Sequence, residues 1–266
     1  MRYWLCTVLL LAATLANGAE PIPDATQQLL KTFHAEFVAI TPGEGQYPAS
    51  FTYGHGDDAR EVTLQQSFAI ARYEVPQNLY EAVMGKNPSR WKGARNSVEM
   101  ITHAEAEEFC AHATRLLREL QLITDEQRIV LPTEEQWEYC CRAGTSTRYS
   151  FGDAAQAPDD VAPKATLLDP YAWHTGNAAG NDPPVGALKP NAWGLYDMHG
   201  YLWEFCSASG QGSDAIDDSA PTAPQRVIIR GGSWKDQYPL LESSSRKSVP
   251  ETLRDDAVGF RCVLGG

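Results

Sequence analysis

After Gly144 the long periodic segments of this chain stop, and glycine, proline, asparagine and aspartate become frequent up to Cys262. A stretch of this kind cannot bury itself as a helical bundle or a regular sheet. It predicts loops held by large side chains and a few short strands, such as Arg226–Arg230 and Val258–Val263. Before Gly144 the pattern is different. Leu29, Leu30, Phe33 and Phe37 are spaced for an amphipathic helix over 25–38, with Asp24 as its expected N-cap, followed by a strand at Phe37–Ile40. Phe68–Val75 alternates as a strand that ends at Pro76. Gln77–Met84 is expected to be a helix stopped by Gly85. Thr102 with Glu105 forms a capping box for a helix running to Gln121, whose apolar face is Ala106, Phe109, Ala113, Leu116 and Leu117. Thr133 opens a further helix with acidic residues in its first turn.

The N-terminus reads as an export signal. Arg2 is followed by an apolar run around Val8–Ala13 that is too short to span a bilayer, then by small residues at 16–19 that suit cleavage after Gly18 or Ala19. The expected organisation is therefore a signal peptide at 1–19 and one domain at 20–266. The expected location is the periplasm, with no membrane span after cleavage. The formal charge is −12, and loss of Arg2 makes the remainder more acidic. That balance excludes nucleic acid and anionic lipid as natural partners and favours divalent cations or a basic protein surface. Five of the six cysteines lie beyond the signal, namely Cys110, Cys140, Cys141, Cys206 and Cys262. In an oxidising compartment disulfides are expected, and an odd number leaves at least one thiol without a partner in the chain. The six histidines, His34, His55, His103, His112, His174 and His199, show no metal-binding spacing and are expected at the surface. No nucleophile elbow, phosphate loop or zinc motif is present.

Three motifs occur in order: Leu131-Pro132-Thr133-Glu134-Glu135-Gln136-Trp137-Glu138-Tyr139, Gly194-Leu195-Tyr196-Asp197-Met198-His199-Gly200-Tyr201-Leu202-Trp203-Glu204-Phe205, and Gly231-Gly232-Ser233-Trp234 followed by Gly259-Phe260-Arg261-Cys262. Shorter pieces precede them at 72–75, 96–101 and 184–191. Together they resemble the formylglycine-generating enzyme (sulfatase-modifying factor) family from about Phe68 to Cys262. The resemblance implies an α+β fold, the formylglycine-generating-enzyme variant of the C-type lectin architecture, with little regular structure. It also implies a disulfide between Cys110 and Cys262, which would close a loop of about 150 residues and stabilise by roughly 4 to 5 kcal/mol in the chain-entropy treatment. Cys140 or Cys141 with Cys206 is a further possible pair.

For cofactors, the resemblance implies a structural calcium held by Asp197, the carbonyls of Gly200 and Leu202, and Glu204. Oxygen ligands of this kind suit a hard cation. A second calcium site would begin at Asn177 and Ala178. The family's two reactive cysteines, which bind copper, correspond here to Asp236 and Leu241. Between Ser233 and Gly259 there is no cysteine, so the soft ligands copper needs are missing and no copper is expected.

The resulting reading is a non-catalytic periplasmic binding or regulatory protein. Its expected cleft involves Trp234, Asp236 and Tyr238. Among members of the family without the cysteines it resembles the TagR-type regulators of bacterial type VI secretion, which act on a pathway with a membrane-spanning threonine kinase. The expected partner is then a periplasmic or membrane protein, such as the periplasmic part of that kinase. The alternative is a periplasmic oxidase in the maturation of a pyoverdine-type siderophore chromophore, with a carboxylate such as Glu242 or Glu251 as base.

Overall fold

The computed structural model describes residues 21–179, 182–207 and 225–266. The expected signal peptide at 1–19 lies outside the described residues. The elements in chain order are α1 (Asp24–Ala35), β1 (Phe37–Ile40), β2 (Ser50–Tyr53), β3 (Arg60–Thr63), β4 (Phe68–Ala71), α2 (Gln77–Met84), α3 (His103–Glu119), β5 (Arg128–Val130), α4 (Glu134–Arg142), β6 (Trp203–Phe205), β7 (Arg226–Arg230), β8 (Arg246–Pro250), β9 (Val258–Gly259) and β10 (Val263–Gly265). The architecture is α+β. Among the described residues between Arg142 and Trp203 there is no helix or strand, as the composition of that stretch implies. No described helix is long and apolar enough to cross a membrane.

The helix boundaries follow local chemistry. Thr102 Oγ1 accepts from the Glu105 N–H at 3.3 Å, and Glu105 Oε2 accepts from the Thr102 N–H at 3.0 Å. Thr133 and Gln136 form the same reciprocal pair at 3.1 and 3.0 Å. Each box satisfies donors that a helix start leaves open. Gly85 ends α2 in the left-handed region, with its N–H on the Glu81 carbonyl. One cap differs from expectation. Pro23 occupies the cap position of α1, and Asp24 is the first helical residue, where its charge still suits the dipole.

Two four-stranded sheets organise the core. The first has the order β1-β4-β10-β5, with every pair antiparallel. The second has the order β8-β7-β6-β9, with β6 and β9 parallel. β2 and β3 form a separate hairpin. α3 packs its expected apolar face into the main cluster, where Phe109 stacks on Tyr80 at 5.6 Å and meets Phe260 edge-on at 5.3 Å. A smaller cluster around Trp137, Tyr139 and Trp193 fills the space under β1 and β4.

Two strands are shorter than the sequence implies. The strand expected over Phe68–Val75 stops at Ala71, and the chain then turns Glu74 into the interior. The tail does not form one strand over Val258–Val263. It splits, because β9 belongs to one sheet and β10 to the other. Phe260-Arg261-Cys262 is the crossover, and Arg261 is fully buried there. Arg261 Nη2 donates to Glu204 Oε1 at 2.6 Å and Arg261 Nε to Glu204 Oε2 at 2.7 Å. Trp137 Nε1 donates to the same Oε2 at 2.8 Å. The remaining guanidinium hydrogens go to the carbonyls of Ala71, Arg72 and Tyr196.

Removing one partner of such a buried pair leaves a charge with no solvent. Arg261→Met is therefore expected to lower unfolding free energy by about 3–5 kcal/mol in urea denaturation. A loss below about 1 kcal/mol would show that the pair is not what joins the sheets.

Candidate functional site

The segment after β7 begins with Gly231 and Gly232, both at positive φ. A Cβ on Gly232 would lie 2.7 Å from the Leu240 carbonyl oxygen, so the close turn requires glycine. This turn brings Ser233 and Asp236 together. Asp236 Oδ2 accepts from Ser233 Oγ (2.6 Å), the Ser233 N–H (3.1 Å) and Trp203 Nε1 (2.7 Å). Its Oδ1 accepts from Lys247 Nζ (3.0 Å), and that ammonium also lies 4.2 Å from the Trp203 ring centre. Asp236 is thus fully engaged as a brace. Leu241 is buried, and its carbonyl accepts from His199 Nδ1 at 2.8 Å. Neither position offers a free ligand.

An aromatic opening lies beside this turn. It is a cleft of about 500 Å³ walled by Trp91, Trp173, Tyr201 and Trp234, with Ser97, Glu99, Asp182 and Asp256 among its polar lining. The volume suits a small molecule or a few peptide residues. Of the three residues expected in a cleft, only Trp234 lines it. Asp236 is the brace described above. Tyr238 sits in a third apolar cluster, where its hydroxyl donates to Gln156 Oε1 and its carbonyl accepts from Tyr149.

The cleft carboxylates differ in state. Asp256 is paired with Arg90 at 3.1 Å and with Lys235, and it receives Trp91 Nε1 at 3.3 Å. Burial works against its charge, but the hydrogen bond and charge of Lys235 hold its carboxyl below the usual range. Glu99 is 3 % exposed and has no ion-pair partner among the described residues. Its Oε1 accepts from the Trp91 N–H at 2.9 Å, and its Oε2 is buried with no hydrogen-bond partner. Burial pushes its pKa up to about 7 against the backbone donors that lower it. Asp182 is also raised by burial. Ser97 Oγ and Trp173 Nε1 are buried without partners in the same cleft. Glu99 lies in the 96–101 piece of the family resemblance, but nothing there marks it as a site residue, and Trp173 lies outside every motif; each is an ordinary residue until the fold removes its water.

Behind the cleft lies the expected calcium region. Asp197 is buried. Its Oδ2 accepts from the Gly186 N–H at 2.7 Å, while Oδ1 has no partner. Burial pushes its pKa up to about 6. Glu74, which sequence reasoning passed over, accepts from the Leu202 N–H through Oε1 at 3.2 Å and has an unpartnered Oε2. It is driven well upward by burial and by the charges of Glu204 and Asp197. Glu204 is occupied by Arg261 and Trp137, as described above. Among the described residues, no group of three or more His, Cys, Asp or Glu side chains is placed to hold a metal ion. Asp197 Oδ1 and Glu74 Oε2 are the carboxylate oxygens left without partners in this region, and oxygens are the donors a hard cation takes. Asn177 is turned inward: its Oδ1 accepts from the His174 N–H and its Nδ2 donates to the Ala172 carbonyl, while neighbouring Ala178 lines the cleft.

The thiols of Cys110 and Cys262 face each other at 3.9 Å and are not bonded. Cys140, Cys141 and Cys206 are likewise buried free thiols. Burial drives Cys140 and Cys206 upward and Cys141 up to about 12, so they are inert packing groups here. Three histidines expected at the surface are buried instead. His103 meets the Cys206 carbonyl through Nε2, His174 meets Asp169, and His199, whose pKa burial pushes down to about 4, links Leu241 and Ser150. Each fills a polar gap between loops, a role that spacing along the chain does not mark.

A loop-rich α+β fold with this Gly-Gly-Ser turn, and with Asp236 where a thiol would stand, defines a formylglycine-generating-enzyme scaffold without its cysteine pair. The chain belongs to that family: its sulfatase-modifying factor enzyme 1-like domain matches residues 24–265. It is similar to the chaperone protein LppX of Paenibacillus barcinonensis, 28% identical over 279 residues and 92% of each chain. With the formylglycine-generating enzyme of Mycobacterium tuberculosis it is 28% identical over 150 residues, half of each chain. It is also similar to the inactive C-alpha-formylglycine-generating enzyme 2 of Bos taurus, 29% identical over 51% of this chain and 44% of that one. Among solved structures, Treponema denticola variable protein 1 matches with a TM-score of 0.65 at 24% identity, over 85% of this chain and 94% of that one. PvdO from Pseudomonas aeruginosa matches with a TM-score of 0.62 at 25% identity, over 82% of this chain and 92% of that one.

Glu99 has a folded pKa above its ordinary value of 4.5, so the folded state holds its proton between about pH 4.5 and 7 while the unfolded state does not. Its contribution to stability is therefore present below pH 4.5 and lost as pH rises to 7. Glu99→Gln is expected to be more stable relative to wild type at pH 8 than at pH 4.5, measured by urea denaturation at both values. A difference that does not change with pH would place Glu99 in water.

Proposed function

We propose that this chain is a non-catalytic binding protein on the formylglycine-generating-enzyme scaffold, exported to the periplasm and stabilised by calcium. The observation that carries the reading is the contrast between two neighbouring places. Asp236 is locked by four donors where the family's chemistry would need a thiol. The aromatic cleft next to it holds buried polar atoms with no partner. A site with spent chemistry beside unsatisfied binding groups favours recognition over turnover. The setting we propose is the regulation of a threonine kinase pathway of type VI secretion. One relative supports a link of this domain to kinases: the serine/threonine-protein kinase pkn1 of Chlamydia caviae is 30% identical over 144 residues, 51% of this chain and 21% of that protein.

The test is chemical crosslinking and affinity capture of the tagged protein from its own periplasm, compared with Trp234→Ala. A membrane kinase or secretion component recovered with wild type and reduced at least tenfold with the variant is the expected result. Equal recovery with both proteins would remove the cleft from the interface.

One observation favours the alternative, a periplasmic oxidase of siderophore chromophore maturation. Glu99 is an unpaired carboxylate held near neutrality in the cleft and is suited to take a proton. Glu242, the base considered from sequence, instead faces Arg148 at 3.6 Å, and neither it nor Glu251 lines the cleft. Metabolite comparison of a deletion strain distinguishes this reading, since accumulation of an unoxidised chromophore precursor would establish it.

The calcium proposal rests on Asp197 Oδ1 and Glu74 Oε2, with the carbonyls of Gly200 and Leu202 as the further oxygens. A bound cation would supply charge balance and fix the 197–204 segment. Chelation is expected to lower the melting temperature of wild type by several degrees and to leave that of Asp197→Asn unchanged, read by scanning calorimetry. A melting temperature insensitive to chelator in wild type would overturn the site.

A further inference from the structure

We propose that the aromatic cleft seats an alkylammonium group on an apolar stem, such as a lysine side chain, with Glu99 Oε2 as its counter-ion and Trp173 Nε1 donating to a carbonyl of the same ligand. This inference deepens the binding reading above and rests on it. Three observations lead to it. First, the charges of the cleft do not balance locally. Arg90 and Lys235 are committed to Asp256, and Lys235 also to Asp255 at 2.8 Å, which leaves Glu99 and Asp182 without an ion-pair partner among the described residues. A carboxylate that is 3 % exposed and unpaired is costly, and a cation from outside removes that cost.

Second, the orphaned atoms have complementary signs. Glu99 Oε2 accepts, Trp173 Nε1 donates, and Ser97 Oγ does either. A lysine within an extended peptide presents both an ammonium and a carbonyl, so it satisfies the first two at once. Third, the geometry selects the type of cation. Glu99 Oε1 is already taken by the Trp91 N–H, so only one oxygen is free. A guanidinium fork seeks two carboxylate oxygens side by side, whereas an ammonium is a compact charge that one oxygen can hold. Trp91 and Trp234 already carry Arg90 and Lys235, at 4.9 and 5.2 Å from their ring centres. The methylene stem and the cation–π contact therefore fall to Trp173, the indole of the lining with no resident cation among the described residues.

The test uses the full chain labelled with 15N, reading the indole N–H signals while n-hexylammonium is added, with n-hexanol as the neutral match in size. N-acetyl-lysine methylamide tests the peptide source of the same chemistry, and N-acetyl-arginine methylamide tests the fork. We expect saturable shifts of the Trp173 signal with hexylammonium and with the lysine compound, at least tenfold weaker binding of hexanol and the arginine compound, and a loss of at least tenfold in Glu99→Gln. Hexylammonium binding without lysine-compound binding assigns the cleft to a free amine. Trp173→Phe keeps an aromatic face and removes the donor, so, read from the Trp234 indole signal, it should weaken the lysine compound more than hexylammonium. Melting curves of both variants establish that they are folded. Should Glu99→Gln fail to fold, the ratio of hexylammonium to hexanol affinity in wild type still decides. Hexanol binding as tightly as hexylammonium, or no binding of either amine, overturns the proposal. Partner capture that depends on Trp234 but occurs without amine binding overturns this inference alone and leaves the binding reading standing.

Discussion

The buried Glu204 carboxylate, shared by Arg261 and Trp137, is the constraint on which the rest of the molecule depends. Arg261 sits on the crossover between the two sheets, Glu204 on β6, and Trp137 on α4. The same guanidinium reaches the carbonyls after β4 and the carbonyl of Tyr196. The Arg261–Glu204 pair thus ties both sheets and the long irregular stretch, and Glu204 adds the helix α4 through Trp137. A chain with so little regular structure after Arg142 has few ladder hydrogen bonds to hold its loops. It uses buried charge instead, since an ion pair out of water tolerates little displacement of either partner. Glu138, Arg142 and Arg230 repeat the device between α4, β7 and the loop at Gly54.

The replacement of a thiol position by Asp236 has a structural consequence. A carboxylate there must be solvated or paired. Lys247, Ser233 and Trp203 provide the pairing, so the turn is braced from three directions. The groups that in this arrangement hold Asp236 are no longer free to face a ligand. What remains open to solvent is the neighbouring cleft, whose wall includes Tyr201 at positive φ. The Tyr201 hydroxyl donates to the Pro183 carbonyl and accepts from the Ser97 N–H, so the ring is fixed as a wall and not left as a mobile cover.

The amphipathic helices, both capping boxes and the Gly85 stop were legible because they depend on neighbours three or four residues away. The core face of α3 was legible for the same reason. The tail was misjudged as one strand because Val258–Val263 alternates well locally. Only the position of Glu204, 57 residues earlier, explains why Arg261 breaks the ladder. The motifs identified the scaffold and the missing thiols. They did not identify Glu99, Ser97 or Trp173, whose importance comes from lost solvent and not from residue type. Likewise Asp236 and Tyr238 stand close in sequence to Trp234, yet the tight turn at Gly231–Gly232 sends them to different surroundings.

The two places with unbalanced charge share a wall. On one side Glu74, Asp197 and Glu204 surround the buried Arg261, and two carboxylate oxygens are left without partners among the described residues. On the other side Glu99 and Asp182 face the cleft with no ion pair among the described residues. The segment at 200–202 separates them: the Leu202 N–H donates to Glu74, while Tyr201 and Leu202 line the cleft. A cation that draws in the oxygens of Asp197 and Glu74 therefore acts on the backbone that positions Tyr201. Rigidity supplied behind the wall lowers the cost of ordering the wall when a ligand arrives in front of it. A cation bound there, as proposed, would act away from any chemistry, and its contribution to binding would be to hold the aromatic wall in place.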